Sequence, residues 1–299
     1  MRLKDKTAII VGAGQSPGEG MGNGRATVLR FAGEGASVMA VDCDLASAEE
    51  TVAMARKAGG DCCAFEADVT REASLAAMIG AAQQRWGRID ILHYNVGVSI
   101  AGGDKPLLEI TEEAFDRVNA INLRGAVMAC KHVVPVMRAQ RSGSILMISS
   151  LAALEDYPLV AYKASKAAMI AFTRQLALEN APYGIRANVI LPGLMDTPMA
   201  VDTRARSTGR PRAEIAAAAW SCVEKMLQDA QRTSAPSAFS VSISTAVWMV
   251  MCSDPVMRAP RSGWVAANSS RIAIRPGISV SAMAISLRPQ SASAMSWTR

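Results

Sequence analysis

Thr7-Ala-Ile-Ile-Val-Gly12 runs into Ala13-Gly-Gln-Ser-Pro-Gly-Glu-Gly-Met-Gly-Asn-Gly24 and then into Arg25-Ala-Thr-Val-Leu-Arg-Phe-Ala32. The first segment is a short β-branched run ending in glycine, the second a glycine-rich turn, the third a helix-forming stretch. Strand, glycine turn and helix is the order in which backbone amides and a helix amino terminus hold a phosphate, because glycines let the main chain approach the ligand. A strict G-x-G-x-x-G spacing is absent, and taken alone such a run also fits a flexible linker.

The sequence beyond it keeps the same rhythm. Ala36-Ser-Val-Met-Ala-Val-Asp42 reads as a second strand whose last residue falls 18 positions past Gly24. An acid so placed binds the ribose hydroxyls of a dinucleotide, although in isolation it also fits a solvated turn. Its charge repels a 2′-phosphate, and Cys43 and Asp44 follow with no arginine, so NAD is favoured over NADP. Leu45 to Ala58 then reads as helix, Cys62 to Ala67 as a strand ending at Asp68-Val69, and Glu72 to Trp86 as helix. Ile89 to Tyr94 reads as a strand ending at Asn95-Val-Gly97. One long helix is expected from Thr111 through Asn122 towards Met137, then a strand ending at Ser150, another helix, and a sixth strand, Arg186 to Leu191, closed by Pro192-Gly193. Strands separated by helices imply parallel crossovers in one sheet covered on both faces: an α/β, doubly wound fold. Ligands bind such sheets outside the carboxyl ends of the strands, where Gly12, Asp42, Asp68, Asn95, Ser150 and Pro192 all fall.

Within Ser149 to Lys166, helix after Pro158 places Tyr162 and Lys166 four apart on one face. A phenol ionises near ~10 when isolated, and a neighbouring positive charge favours its anion, which suits proton exchange. Such a pair is common on helices and gains weight only from its surroundings. Here a hydroxyl from Ser149 or Ser150 arrives from the adjacent strand end, and since neighbouring strand side chains face opposite ways, only one of the two joins it.

Composition limits the alternatives. The 299 residues suffice for one large domain. No apolar run approaches the roughly 18 residues of a membrane span, and the amino terminus leads into a strand-like run rather than a signal sequence, so a cytoplasmic protein without membrane association is expected. Six cysteines show no ligand spacing and there are two histidines, so no metal site is expected. The net charge is +6, but residues 226–299 carry seven arginines against two aspartates. The first 225 residues are thus close to neutral, which disfavours nucleic acid as a partner; binding through the arginine-bearing tail stays a weaker alternative.

Taken together these motifs resemble the short-chain dehydrogenases/reductases over about residues 3–216. Tyr162-Lys-Ala-Ser-Lys166 matches the family's Y-x-x-x-K, Ser150 its serine, Asn122 its helix asparagine, Asn95-Val-Gly97 its N-A-G element. Asp68-Val69 looks like its pair beside adenine, and Pro192-Gly193 to Thr197 like its segment gripping the nicotinamide amide. The resemblance implies a Rossmann-type sheet in a single domain, with Tyr162 as general acid-base. Lys166 would lower its pKa and bind the nicotinamide ribose, Ser150 would polarise the substrate oxygen, and Asn122 would hold a water that relays protons. Gly12, Gly22 and Gly24 are assigned to the phosphates. The implied activity is an NAD-dependent interconversion of a small secondary alcohol and a ketone. A homo-oligomer, dimer or tetramer, is implied, with long helices around 112–138 and 160–180 pairing between subunits. The alternative is a catalytically silent dinucleotide-binding or scaffold protein of the same fold.

Three departures stand out. The glycine loop carries an insertion, Gln15 to Glu19, with Asn23 between its last two glycines. His93 and Tyr94 precede Asn95, and His93 reads as a strand residue rather than a catalyst. From about Ala217 onward the sequence turns into serine, alanine, arginine and methionine without clear periodicity, so the domain is set at 1–216 and 217–299 is expected to be a divergent, out-of-frame or poorly ordered tail. Substrate choice is assigned to Ser99–Leu107, Leu151–Pro158 and the segment after Gly193, where Leu151, Leu154, Tyr157, Leu194, Met195 and Met199 suggest an apolar pocket.

Overall fold

The computed structural model describes residues 1–217 and the three-residue strand 283–285. The remainder of the 217–299 tail, with the expectation made for it, lies outside the described residues.

Alternation builds the sheet. In β1 (Thr7–Val11) every residue is buried, Ile9 and Val11 in one core and Ala8 and Ile10 in the other, as a strand covered on both faces requires. With β2 (Ser37–Asp42), β3 (Cys62–Glu66), β4 (Ile91–Tyr94), β5 (Gly143–Ile148) and β6 (Ile185–Leu191), it forms a parallel sheet in the order β3-β2-β1-β4-β5-β6. A seventh strand, β7 (Met283–Ile285), pairs antiparallel with the outer edge of β6.

Helices α1 (Asn23–Gly33) and α2 (Leu45–Lys57) cover one face, with Val28, Ala32, Val52 and Ala55 in its core. The other face is covered by α3 (Glu72–Trp86), α5 (Gly125–Gln140) and α6 (Val160–Asn180), through Leu75, Met78, Val133, Met137 and Met169. The adjacent thiols of Cys62 and Cys63 divide between these two layers, and burial pushes both up, Cys62 to about 11. The chain leaves β1 towards β2 and later returns to β4 on its other side. The carboxyl ends of β1 and β4 therefore flank the crevice where such sheets take ligands.

The helix expected from Thr111 to Met137 is divided. It comprises α4 (Glu112–Asn119), capped by the Thr111 hydroxyl, a π-helical segment at Ala120–Arg124, and α5. Asn122 lies inside the π segment, and single π turns commonly mark functional positions because they re-aim side chains without ending the helix. Among the described residues no helix is long and apolar enough to cross a membrane.

Candidate active site

The glycine loop closes tightly on the sheet. A Cβ on Gly24 would stand 1.7 Å from the Gly12 carbonyl oxygen, so α1 can meet β1 at this distance only with glycine. Asn95 Nδ2 donates to that same carbonyl at 3.1 Å, tying the end of β4 to the loop. Gly14 presses on Asp42, donating its N–H to Oδ2 at 2.8 Å and leaving no room for a Cβ. Asp42 thus stands at the end of β2 with its carboxylate turned to the loop. By contrast, a Cβ on Gly22 would meet nothing nearer than 3.6 Å, and its N–H donates to Gln15 Oε1 at 2.8 Å. Gly14, whose signal was the Gly12-Ala-Gly14 spacing, is thus packed against the side chains of Asp42 and Ser47, whereas Gly22 is held through its N–H. No side chain caps α1 and its first turn holds no acid, an electropositive helix end beside a backbone cradle. Arg25, buried behind the loop, is engaged by Thr51 at 3.0 Å and Glu50 at 2.6 Å.

Ser150, Tyr162 and Lys166 gather beyond β5. Ser149 is buried and donates to the Lys166 carbonyl at 2.7 Å. Ser150 faces the other way: its Oγ accepts the Ala152 N–H at 3.2 Å, and its hydroxyl acts on the Tyr162 phenol, favouring the phenolate. Of the adjacent serines, Ser150 is the one that faces Tyr162. Burial nevertheless pushes the Tyr162 phenol up, against the sense expected from a neighbouring lysine. Lys166 does not offset this burial. Its Nζ donates to the Ile148 carbonyl at 2.8 Å and the Val96 carbonyl at 3.2 Å, 5.7 Å from the Tyr162 ring centroid, and burial lowers its own pKa to about 7. Gly97 lies against this ammonium.

Asn122 is fully buried. Its Oδ1 accepts the Val98 N–H at 2.7 Å, while Nδ2 donates to the Val98 carbonyl and to Ser165 Oγ, both at 3.0 Å. Both side-chain donors are taken, so a water held here depends on acceptor oxygens. Tyr157 stacks at a tilt on Tyr162, with ring centroids 5.5 Å apart, and shares a 3.1 Å hydrogen bond with Ser99. Arg204 on α7 (Thr203–Thr208) adds positive potential at the phenol. The Tyr162 phenol thus has hydroxyls and a cation around it.

The short chain dehydrogenase family profile matches residues 6–208. The chain belongs to the short-chain dehydrogenases. Members of this family are oxidoreductases that bind nicotinamide dinucleotides. An uncharacterized oxidoreductase of Bacillus subtilis (strain 168), YxbG, is 38% identical over 199 residues, covering 66% of this chain and 70% of that protein. Levodione reductase of Leifsonia aquatica is 35% identical over 201 residues, covering 66% and 72%. Among solved structures, a 7α-hydroxysteroid dehydrogenase complexed with NADH and 7-oxo glycochenodeoxycholic acid superposes with a TM-score of 0.60 at 34% identity, over 66% of this chain and 73% of that one.

The remaining family positions follow the sheet. Asp68 sits past the end of β3 with its carboxylate bound by the Thr70 N–H and hydroxyl, which lowers its pKa, and Val69 is buried beside it. Past β6, the Pro192 carbonyl accepts the Leu151 N–H, Gly193 follows it, and Thr197 caps a π-helical segment at Pro198–Asp202. The inserted residues pack onto this segment: the Glu19 N–H donates to Asp202 Oδ1 at 3.2 Å, and Arg212 pairs with Glu19, Asp196 and Asp202. Among the described residues no cluster of three or more His, Cys, Asp or Glu is placed to hold a metal ion.

Proposed function

We propose that the chain is an NAD-dependent oxidoreductase interconverting a secondary alcohol and a ketone, with Tyr162 exchanging the proton. The observation that carries this reading is the convergence of Ser150 on the Tyr162 phenol, one turn from Lys166 and beside the Gly12, Gly24 and Asn95 cradle. NAD, when bound, supplies or accepts the hydride. Gly12, Gly22 and Gly24, with Gly14 and the open amino end of α1, would hold its phosphates, and Asp42 its adenosine ribose. Asp68, Val69, Asn95, Gly97, Pro192, Gly193 and Thr197 would line the rest of its site. At about 4 Å and an effective dielectric of about 20, each extra negative charge beside Asp42 costs about 4 kcal/mol, which disfavours a 2′-phosphate.

Ser150 orients the substrate oxygen, and Tyr162 gives it a proton in reduction or removes one in oxidation. Because burial raises the phenol's pKa, Tyr162 is protonated at neutral pH, ready for reduction; alcohol oxidation, which needs the phenolate, rises with alkaline pH. Lys166, positioned by two carbonyls, supplies donors towards the nicotinamide ribose. A homo-oligomer built through the long helices fits the same reading, with a small alcohol or ketone as the partner rather than nucleic acid. NADH fluorescence titration followed by turnover with a panel of alcohols and ketones tests it. Tyr162→Phe is expected to bind NADH as the unmodified chain does and to lose activity by about 10²-fold or more. Binding without turnover, indifferent to that substitution, favours the silent scaffold instead.

A further inference from the structure

We propose that Asp104 is a positioning residue for the acid-base tyrosine, fixing Tyr162 through its main chain from the loop after β4; this rests on the reading of Tyr162 above. Helix α6 cannot cap itself. It starts behind Pro158 with Leu159 at the cap position, and leucine has no acceptor to offer the first-turn N–H groups. The acceptors come from more than fifty residues away. The Lys105 carbonyl accepts the Val160 N–H at 3.2 Å, Asp104 Oδ1 accepts that of Ala161 at 3.0 Å, and Asp104 Oδ2 accepts that of Tyr162 itself at 2.9 Å.

Asp104 is 2% exposed, and the Lys105 N–H donates to its Oδ1 as well, at 3.0 Å. A buried carboxylate on the amino end of a helix makes strong, charge-assisted bonds, and a fork holding two consecutive N–H groups permits neither sliding nor rotation of that turn. At the other side of the residue, the Tyr162 carbonyl accepts from Ser165, which in turn accepts from Asn122. The tyrosine is therefore clamped at both main-chain groups. The clamp reaches the substrate side too: the Asp104 N–H donates to the Ser99 carbonyl, and Ser99 Oγ shares a hydrogen bond with Tyr157, whose ring lies against that of Tyr162. A substrate that displaces the loop over residues 99–105 thereby displaces the acid-base group.

Asp104→Ala removes the clamp, and Asp104→Asn keeps one acceptor oxygen. NADH titration counts the folded sites in each variant, and turnover is expressed per site well below Tm. The expected result is a fall in kcat of about tenfold or more for Asp104→Ala, partly restored in Asp104→Asn, with NADH affinity within about twofold in both. Loss of sites with unchanged kcat per site would reduce Asp104 to an ordinary helix cap and overturn the proposal. If the unmodified chain turns over no alcohol or ketone, the oxidoreductase reading fails separately, and tyrosinate absorbance decides the role of Asp104. The transition missing in Tyr162→Phe belongs to Tyr162, which has Ser150, Tyr157 and Arg204 acting on its phenol and the Lys166 ammonium 5.7 Å from its ring centroid; it is expected to move in Asp104→Ala, where the clamp is gone, and less in Asp104→Asn. An unmoved transition in Asp104→Ala overturns the proposal independently of activity.

Discussion

His93 sits in the middle of β4, paired with Ile10 and Leu146 on the neighbouring strands, near the Phe31 ring. It is buried, and its Nδ1 has no partner among the described residues. Burial lowers its pKa to about 4, because a charged imidazole here would have neither water nor a carboxylate. This supports its reading as a strand residue and fixes a pH dependence. Above the unfolded value near ~6.5 both states are neutral and pH has no leverage. Between there and about 4 the unfolded chain takes up a proton that the folded chain refuses, so stability falls as pH falls, by up to about 3 kcal/mol. Urea unfolding at pH 7.5 and pH 5 measures it: His93→Leu is expected to lose less stability over this interval than the unmodified chain. Equal slopes would place the imidazole in contact with solvent or with a counter-charge.

At the scale of elements, the inserted stretch of the glycine loop is a packed part of the molecule. Gly18 adopts a φ of +149° with Asp202 where a side chain would be, and Arg206 reaches the Pro17 carbonyl at 3.5 Å. Arg212 joins Glu19, Asp196 and the largely buried Asp202, which it meets at Oδ1, while Asp202 Oδ2 has no hydrogen-bond partner among the described residues. Glu19 is 80% exposed, so its ion pair alone contributes little. Asp202 matters more, because removing the arginine leaves a buried carboxylate without its cation. In Arg212→Ala the loop is expected to open locally while the sheet stays intact. Glutamyl endopeptidase should then cut at Glu19 several-fold faster, with the global unfolding midpoint almost unchanged. Equal cleavage rates in the two proteins would mean that the main-chain bond from Glu19 to Asp202 suffices to hold the insertion.

For the whole molecule, what was legible in the sequence was what repeats locally. Buried β-branched runs alternating with helices set the parallel sheet, and a parallel sheet gathers Gly12, Asp42, Asn95 and Ser150 at one edge whatever lies between them. What stayed hidden depends on partners remote in sequence: the cap that Asp104 lends to α6, the docking of Glu19 on Asp202, and the π segment that splits the expected helix at Asn122. Nothing within four or five residues of Asp104 reports that its carboxylate will meet Tyr162. The partners of Lys166 were hidden for the same reason, since the carbonyls of Val96 and Ile148 that hold its ammonium come from two other strand ends. The dinucleotide cradle links all these parts, joining β1, β2, β4 and α1, so a cofactor that binds the folded state alone stabilises the whole sheet. At a hundredfold excess over Kd the gain is about 2.7 kcal/mol. In a domain of this size that corresponds to a Tm rise of about 5–10 °C. NAD is expected to produce this rise and NADP much less of it, because the 2′-phosphate meets Asp42. Asp42→Ala should bring the two cofactors together by weakening NAD and relieving NADP. If NADP raises Tm as far as NAD in the unmodified chain, the Asp42 carboxylate stays on the Gly14 N–H when cofactor binds, and the preference assigned to it is wrong.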